Sequence, residues 1–138
     1  MKRSFLRGGL ILVLIMMLLS CGKIYKKGDM RLKIVKAKWE EIFLGDEKTT
    51  DKYLVVALNI YLSNSNDRPN LPMSVKDESG ESYPQGSNKY TYYGSRVYVD
   101  TLFFVTKTNV DTCFLVTKTN KKLYLIAGDF DPIPISPK

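Results

Sequence analysis

The feature that most constrains the fold is KYLVVALNIYLSN, residues 52–64, where Leu54, Val56, Leu58, Ile60 and Leu62 alternate with Tyr53, Val55, Ala57, Asn59 and Tyr61. A period of two places successive side chains on opposite faces of a strand. Because both sets are largely apolar, the strand is expected at the centre of a sheet, with neighbours on each side. Upstream, MRLKIVKAKWEEIF sets Met30, Leu32 and Ile34 against Arg31 and Lys33, then resumes with Ala37 and Trp39 after a phase shift at Val35 and Lys36. One extra residue, a β-bulge, accounts for that shift.

The remaining chain keeps β character. SNSNDRPNLP is dense in turn formers and reads as a loop. MSVKDESGESY reads as a strand meeting a hairpin tip at Asp77 to Gly80, where the glycine takes a positive φ. PQGSNKYTYYGS is loop-like, and RVYVDTLFFVTK resumes the strands. FFVTKTN at 103–109 and FLVTKTN at 114–120 are similar, but no third copy follows. They are expected to form two neighbouring strands, with Asn109 and Asn120 serving the turns. LYLIAGDF is expected to be the final strand, since Pro132, Pro134 and Pro137 oppose any partner beyond it. About seven antiparallel strands and no helix after the leader predict an all-β sandwich. The antibody-type Cys…Trp…Cys arrangement is missing, so any immunoglobulin likeness is one of architecture.

The amino terminus carries a different message. Lys2, Arg3 and Arg7 precede ten apolar residues, Leu10–Leu19, too few for the ~20 of a membrane-spanning helix. Such a pattern is an export signal. In LLSCGK, Leu18, Ser20 and Cys21 resemble the bacterial lipobox, although Leu19 is bulkier than the usual residue at its position. The resemblance implies cleavage before Cys21 and a covalent diacylglycerol on its thiol, with or without a further N-acyl chain such as palmitate, and no other cofactor. The expected organisation is a signal peptide at 1–20, a lipidated tether at 21–29 and a β-sandwich domain with a Pro-rich tail at 30–138. A tether that short holds the domain close to the membrane of the cell envelope.

Removing the leader leaves eighteen Lys and Arg against fourteen Asp and Glu. Lys23, Lys26 and Lys27 lie beside the lipid, where each can add about 1 kcal/mol of attraction to anionic head groups or simply solvate the tether. An exported chain without a nucleic-acid motif is not expected to bind nucleic acid. Cys113, the other cysteine, lies among strand residues and is expected to be a buried, unreactive thiol.

The order of features in YLVVALNIYLSNSN, VKDESGESY and LFFVTKTNVDTCFLV followed by KKLYLIAG resembles a bacterial family of Ig-like lipoproteins of unknown function, related to a secreted mycobacterial immunoprotective antigen. The likeness spans roughly residues 30–127. It implies an immunoglobulin-like β-sandwich displayed at the cell envelope, with no established catalytic residues to carry over. Neither the Pro-rich tail nor Cys113 belongs to that pattern.

Candidate chemistry is sparse. The chain has no histidine, which removes histidine-dependent acid–base work, Ser-His-Asp hydrolysis and the usual zinc catalysis. Glu40 with Glu41, Asp46 with Glu47, Asp77 with Glu78, and Asp129 with Asp131 read as solvated turn charges. The alternating acids of GDFDP are a weak calcium signal. The chain is therefore expected not to be an enzyme. YPQGSNKYTYYGSRVY, residues 83–98, is the strongest candidate for partner binding: Tyr, Ser, Gly and Asn give contact area at low entropy and adapt readily. Lys89, Tyr90, Tyr92, Tyr93, Arg96 and Tyr98 are the candidate contacts, for an envelope protein or a polyanionic polymer. The same tyrosines have a structural reading, as strand formers covering an open sheet edge. An alternative function is inhibition of an external hydrolase such as lysozyme. SGESY resembles the inhibitory loop of one inhibitor family, without the paired cysteines usual there.

Overall fold

The computed structural model describes residues 23–63, 71–86, 92–93, 97–100 and 105–138. Their strands are, in chain order, β1 (Ile24–Lys27), β2 (Met30–Leu44), β3 (Glu47–Ser63), β4 (Met73–Asp77), β5 (Ser82–Pro84), β6 (Tyr92–Tyr93), β7 (Val97–Asp100), β8 (Val105–Thr117), β9 (Leu123–Ala127) and β10 (Ile133–Ile135). No helix occurs among the described residues. All pairings are antiparallel. One sheet has six strands, in the order β1-β2-β3-β8-β6 with β7 also on β8; the other has four, in the order β10-β9-β4-β5. The chain is thus all-β and sandwich-like, with ten strands among the described residues rather than about seven.

The alternating stretch lies within β3, between β2 and β8. Leu54, Val56, Leu58 and Ile60 are buried, while Tyr53, Val55, Ala57, Asn59 and Tyr61 are half-buried on the opposite face. Each of the buried four contributes about 1.5–3 kcal/mol by leaving water. They meet Val75 of β4, Leu123 and Leu125 of β9 and Ile133 of β10 in one core. The register of β2 on β3 slips between Ile34 and Lys36, so Val35 is the extra residue anticipated from the phase shift. Val35 is accordingly 54% exposed.

Local sequence explains the turns. Lys27 pairs with Met30, and Leu44 with Glu47, so each hairpin turns on a Gly-Asp pair. Gly45 has φ +69°, as the two-residue turns that match strand twist require. In the connection from β4 to β5, three residues separate Asp77 from Glu81, and the last of them, Gly80, has φ +88°. Asp77 N–H donates to Glu81 O at 3.0 Å and Gly80 N–H to Asp77 O at 3.0 Å, the pattern of a type I turn closed by a glycine bulge.

Four expectations change. Residues 24–27, read as tether, form β1 on the edge of β2. The two similar segments are not two strands about a turn at Asn109, because β8 runs unbroken from Val105 to Thr117 and Asn109 pairs with Asn59 in mid-strand. Continuous pairing with β3 supplies the hydrogen bonds that a turn would forgo. Nor is LYLIAG the last strand: Ile133–Ile135 pairs with β9. Pro134 is tolerated there because β10 is an edge strand, while Ile133 and Ile135 are buried. Finally, Asp77 is buried rather than solvated.

The sheets meet along both flanks. Beyond β5, Gln85 bridges to Phe114 of β8, and Gly86 N–H donates to Cys113 O at 2.9 Å. On the other flank Lys138 N–H donates to Ala37 O at 3.1 Å, and Trp39 N–H to Lys138 O at 3.5 Å. A Cβ on Gly86 would fall within contact distance of the buried Cys113 Sγ. Gly86→Ala is therefore expected to cost about 1–3 kcal/mol, and adding Cys113→Ala is expected to recover part of it. Thermal melts of the single and double variants check this.

Candidate functional site

The described residues of the Tyr-rich segment that follow β5 pair along one edge of β8. After the Gln85 bridge, Tyr92 pairs with Asp111 and Tyr93 with Val110, then Val97 with Lys107 and Tyr98 with Thr106. Tyr92 and Tyr93, read as loop, are thus strand residues on the edge of β8. Lys89, Tyr90 and Arg96 lie outside the described residues. Tyr83 belongs to β5 and packs against the core.

Its hydroxyl donates to Asp77 Oδ2 at 3.0 Å, while Oδ1 accepts from Ser79 N–H at 2.9 Å, Ser79 Oγ at 2.6 Å and Glu81 N–H at 3.1 Å. Lys121 Nζ stands 3.8 Å from Oδ2. The hydrogen bond from the Ser79 hydroxyl, aided by those from Tyr83 and the two backbone amides, outweighs burial and holds the Asp77 carboxyl down at about 2. The same contact with Asp77, together with burial, pushes the Tyr83 phenol up to about 12. Asp77 accordingly closes a turn, and the SGESY segment directs its amides and tyrosine inward to this carboxylate.

The other acids are dispersed. Glu40 lies 3.9 Å from Lys38 Nζ, and Glu41 lies 3.4 Å from Lys48 Nζ. Asp129 and Asp131 are exposed on either side of buried Phe130, whose N–H donates to Ala127 O at 3.0 Å. Among the described residues no three His, Cys, Asp or Glu side chains come together as a metal site. Cys113 is buried, and desolvation raises its thiol above the ordinary value, the state expected of an unreactive cysteine.

Two features were not anticipated from sequence. β8 pairs with β3 only from Tyr53 onward, so the far end of the β2–β3 hairpin extends beyond it, with Phe43 and Leu44 exposed near its tip. The second is a groove of about 340 Å³ on the outer flank of β2, at the Val35 bulge. β1 pairs with β2 as far as Ile24–Lys33, and the C-terminal segment takes up the flank again at Ala37. The groove opens between them. Lys23, Lys36, Lys38 and Lys138 line it, with Val35 and Pro134 among its apolar surfaces. Lys23, Lys26 and Lys27 are all exposed, and Lys23 Nζ stands 5.0 Å from the centre of the Tyr25 ring, within cation–π range. Cys21 lies outside the described residues.

Compared with protein-family models, curated proteins and solved structures, the chain matches none. Its functional reading therefore rests on its own residues. The sequence signal for the groove was the phase shift in KIVKAK, which spaces two lysines after a bulge. The arrival of Lys138 beside them is a long-range event that no local pattern announces.

Proposed function

We propose that this chain is an exported envelope lipoprotein, anchored by acyl chains on Cys21, whose immunoglobulin-like β-sandwich is a non-catalytic binding module. The observation that carries this reading is the sequence LLSCGK, with the first strand, Ile24–Lys27, beginning three residues after Cys21. Two or more acyl chains give stable anchoring, and a domain beginning so soon after them is held at the lipid surface. The partner is an envelope protein or polyanionic polymer, engaged through the Tyr-rich segment beside β8. The register shift between Tyr98 and Asp100 supports this, since bulges are over-represented at sheet edges and beside functional sites.

Two measurements test the proposal on the full chain expressed in a bacterium. Labelled palmitate is expected to enter the wild type and not Cys21→Ser, which should leave the membrane fraction; equal labelling of both overturns the anchor. Capture from envelope extract is expected to retain a partner with the wild type and lose it with Tyr92→Ala/Tyr93→Ala/Arg96→Ala. Retention of the same partner by that folded variant overturns the site.

A further inference from the structure

We propose that the groove at the Val35 bulge binds the phosphate-bearing head group of an anionic membrane lipid. The inference rests on the anchoring reading for the identity of its ligand, while the groove itself is a matter of geometry.

Three separate segments bring lysines to the lining of one groove: Lys23 from ahead of β1, Lys36 and Lys38 from β2 after its bulge, and Lys138 from the C-terminal segment. No Asp or Glu side chain lines the groove among the described residues. Lys36 and Lys38 are two residues apart and hence share a face. Hydrogen-bond contact with Lys36, then the repulsion of its like charge, holds the Lys38 ammonium below the ordinary lysine value despite Glu40 at 3.9 Å. A phosphate between these lysines relieves that repulsion.

The apolar lining argues for a lipid over a free anion. Val35 is 54% exposed and Pro134 is exposed beside it, so a ligand that brings carbon as well as phosphate covers surface that an inorganic ion leaves wet. Position supplies the source. Lys23 follows Cys21 by two residues, a span of at most ~7 Å, so an acylated Cys21 holds the groove at the head-group layer. Lys26 and Arg31, opposite one another on β1 and β2, add positive charge nearby, which favours an anionic surface.

The test uses the full chain in zwitterionic detergent micelles, followed by amide NMR, with phosphatidylglycerol as one probe and inorganic phosphate as the other. Phosphatidylglycerol is expected to shift the amides of Lys36, Lys38 and Lys138 saturably. Its affinity should fall about tenfold or more in Lys36→Gln/Lys38→Gln, while Lys122 stays unmoved. Should that pair disturb β2, Lys23→Gln/Lys138→Gln, outside the strands, is expected to give the same loss. Shifts spread evenly over exposed lysines, or affinity unchanged in both variants, overturn the site. Saturation by inorganic phosphate at equal concentration overturns the lipid assignment. Palmitate labelling of the wild type separates the two readings: groove shifts in a wild type that takes up no label support the groove and refute the anchor, whereas a labelled wild type without groove shifts refutes the groove alone.

Discussion

Phe114→Ala is expected to destabilise the chain by about 3–5 kcal/mol, as large-to-small changes at fully buried aromatics do. That is a large part of the ~5–15 kcal/mol holding an ordinary domain together. Phe114 is completely buried, faces Leu54 across the β3–β8 ladder and is bridged by Gln85 on its other side. The register on β3 slips there: Leu54 pairs with Phe114 and Tyr53 with Thr117. The ring thus fills the place where β8 departs from its ladder and the four-stranded sheet comes over to meet it. Removing it empties a site fixed by both sheets, which cannot easily collapse. Denaturant titration followed by fluorescence of Trp39, the single tryptophan, measures the loss. Phe114→Leu, which keeps most of the volume, is expected to cost clearly less, and equal cost in both variants would refute this account.

Asp77→Ala is expected to lower the melting temperature by on the order of 10 °C, because it leaves four donors around one carboxylate without their acceptor. The pH dependence gives a sharper readout. Folding holds the Asp77 carboxyl at about 2, against an unfolded value near 4. Its stabilisation is therefore fully present above about pH 4 and is lost as the pH falls through about 2. Tyr83 has the opposite sign: with the folded phenol at about 12, its contribution is present below about pH 10 and is lost as the pH rises through about 12. Asp77→Asn is expected to flatten the acid limb of a stability-versus-pH curve, and Tyr83→Phe the alkaline limb. An acid limb unchanged in Asp77→Asn would show that other carboxylates dominate it.

The legible parts of the fold were those governed by neighbours in sequence. Period-two alternation marked β3 as a central strand, the phase shift in KIVKAK marked the bulge at Val35, and DESG marked the hairpin tip. Each depends on side-chain direction or backbone φ over a few residues, which are local properties. The errors arose where a distant strand outvoted a local signal. Asn109 is a good turn residue, yet Asn59 across the ladder keeps it extended. The prolines of DPIPISP discourage a central strand, yet the free edge of β9 accepts Ile133–Ile135 because an edge needs hydrogen bonds on one side only. Asp77 has a surface residue's composition, and only the folded turn with Tyr83 and Lys121 makes its burial tolerable.

The sequence by itself determined that this chain is all-β and where its central strand lies, because periodicity and turn chemistry are written in contiguous residues. Tertiary structure alone decided how the sheets close on one another, with Gln85 reaching Phe114 on one flank and Lys138 reaching Ala37 on the other. The same closure brought Lys23, Lys36, Lys38 and Lys138 to one groove. Residues more than a hundred positions apart meet only when a core has formed to hold them, so such a site depends on strand pairing and burial acting over the whole domain.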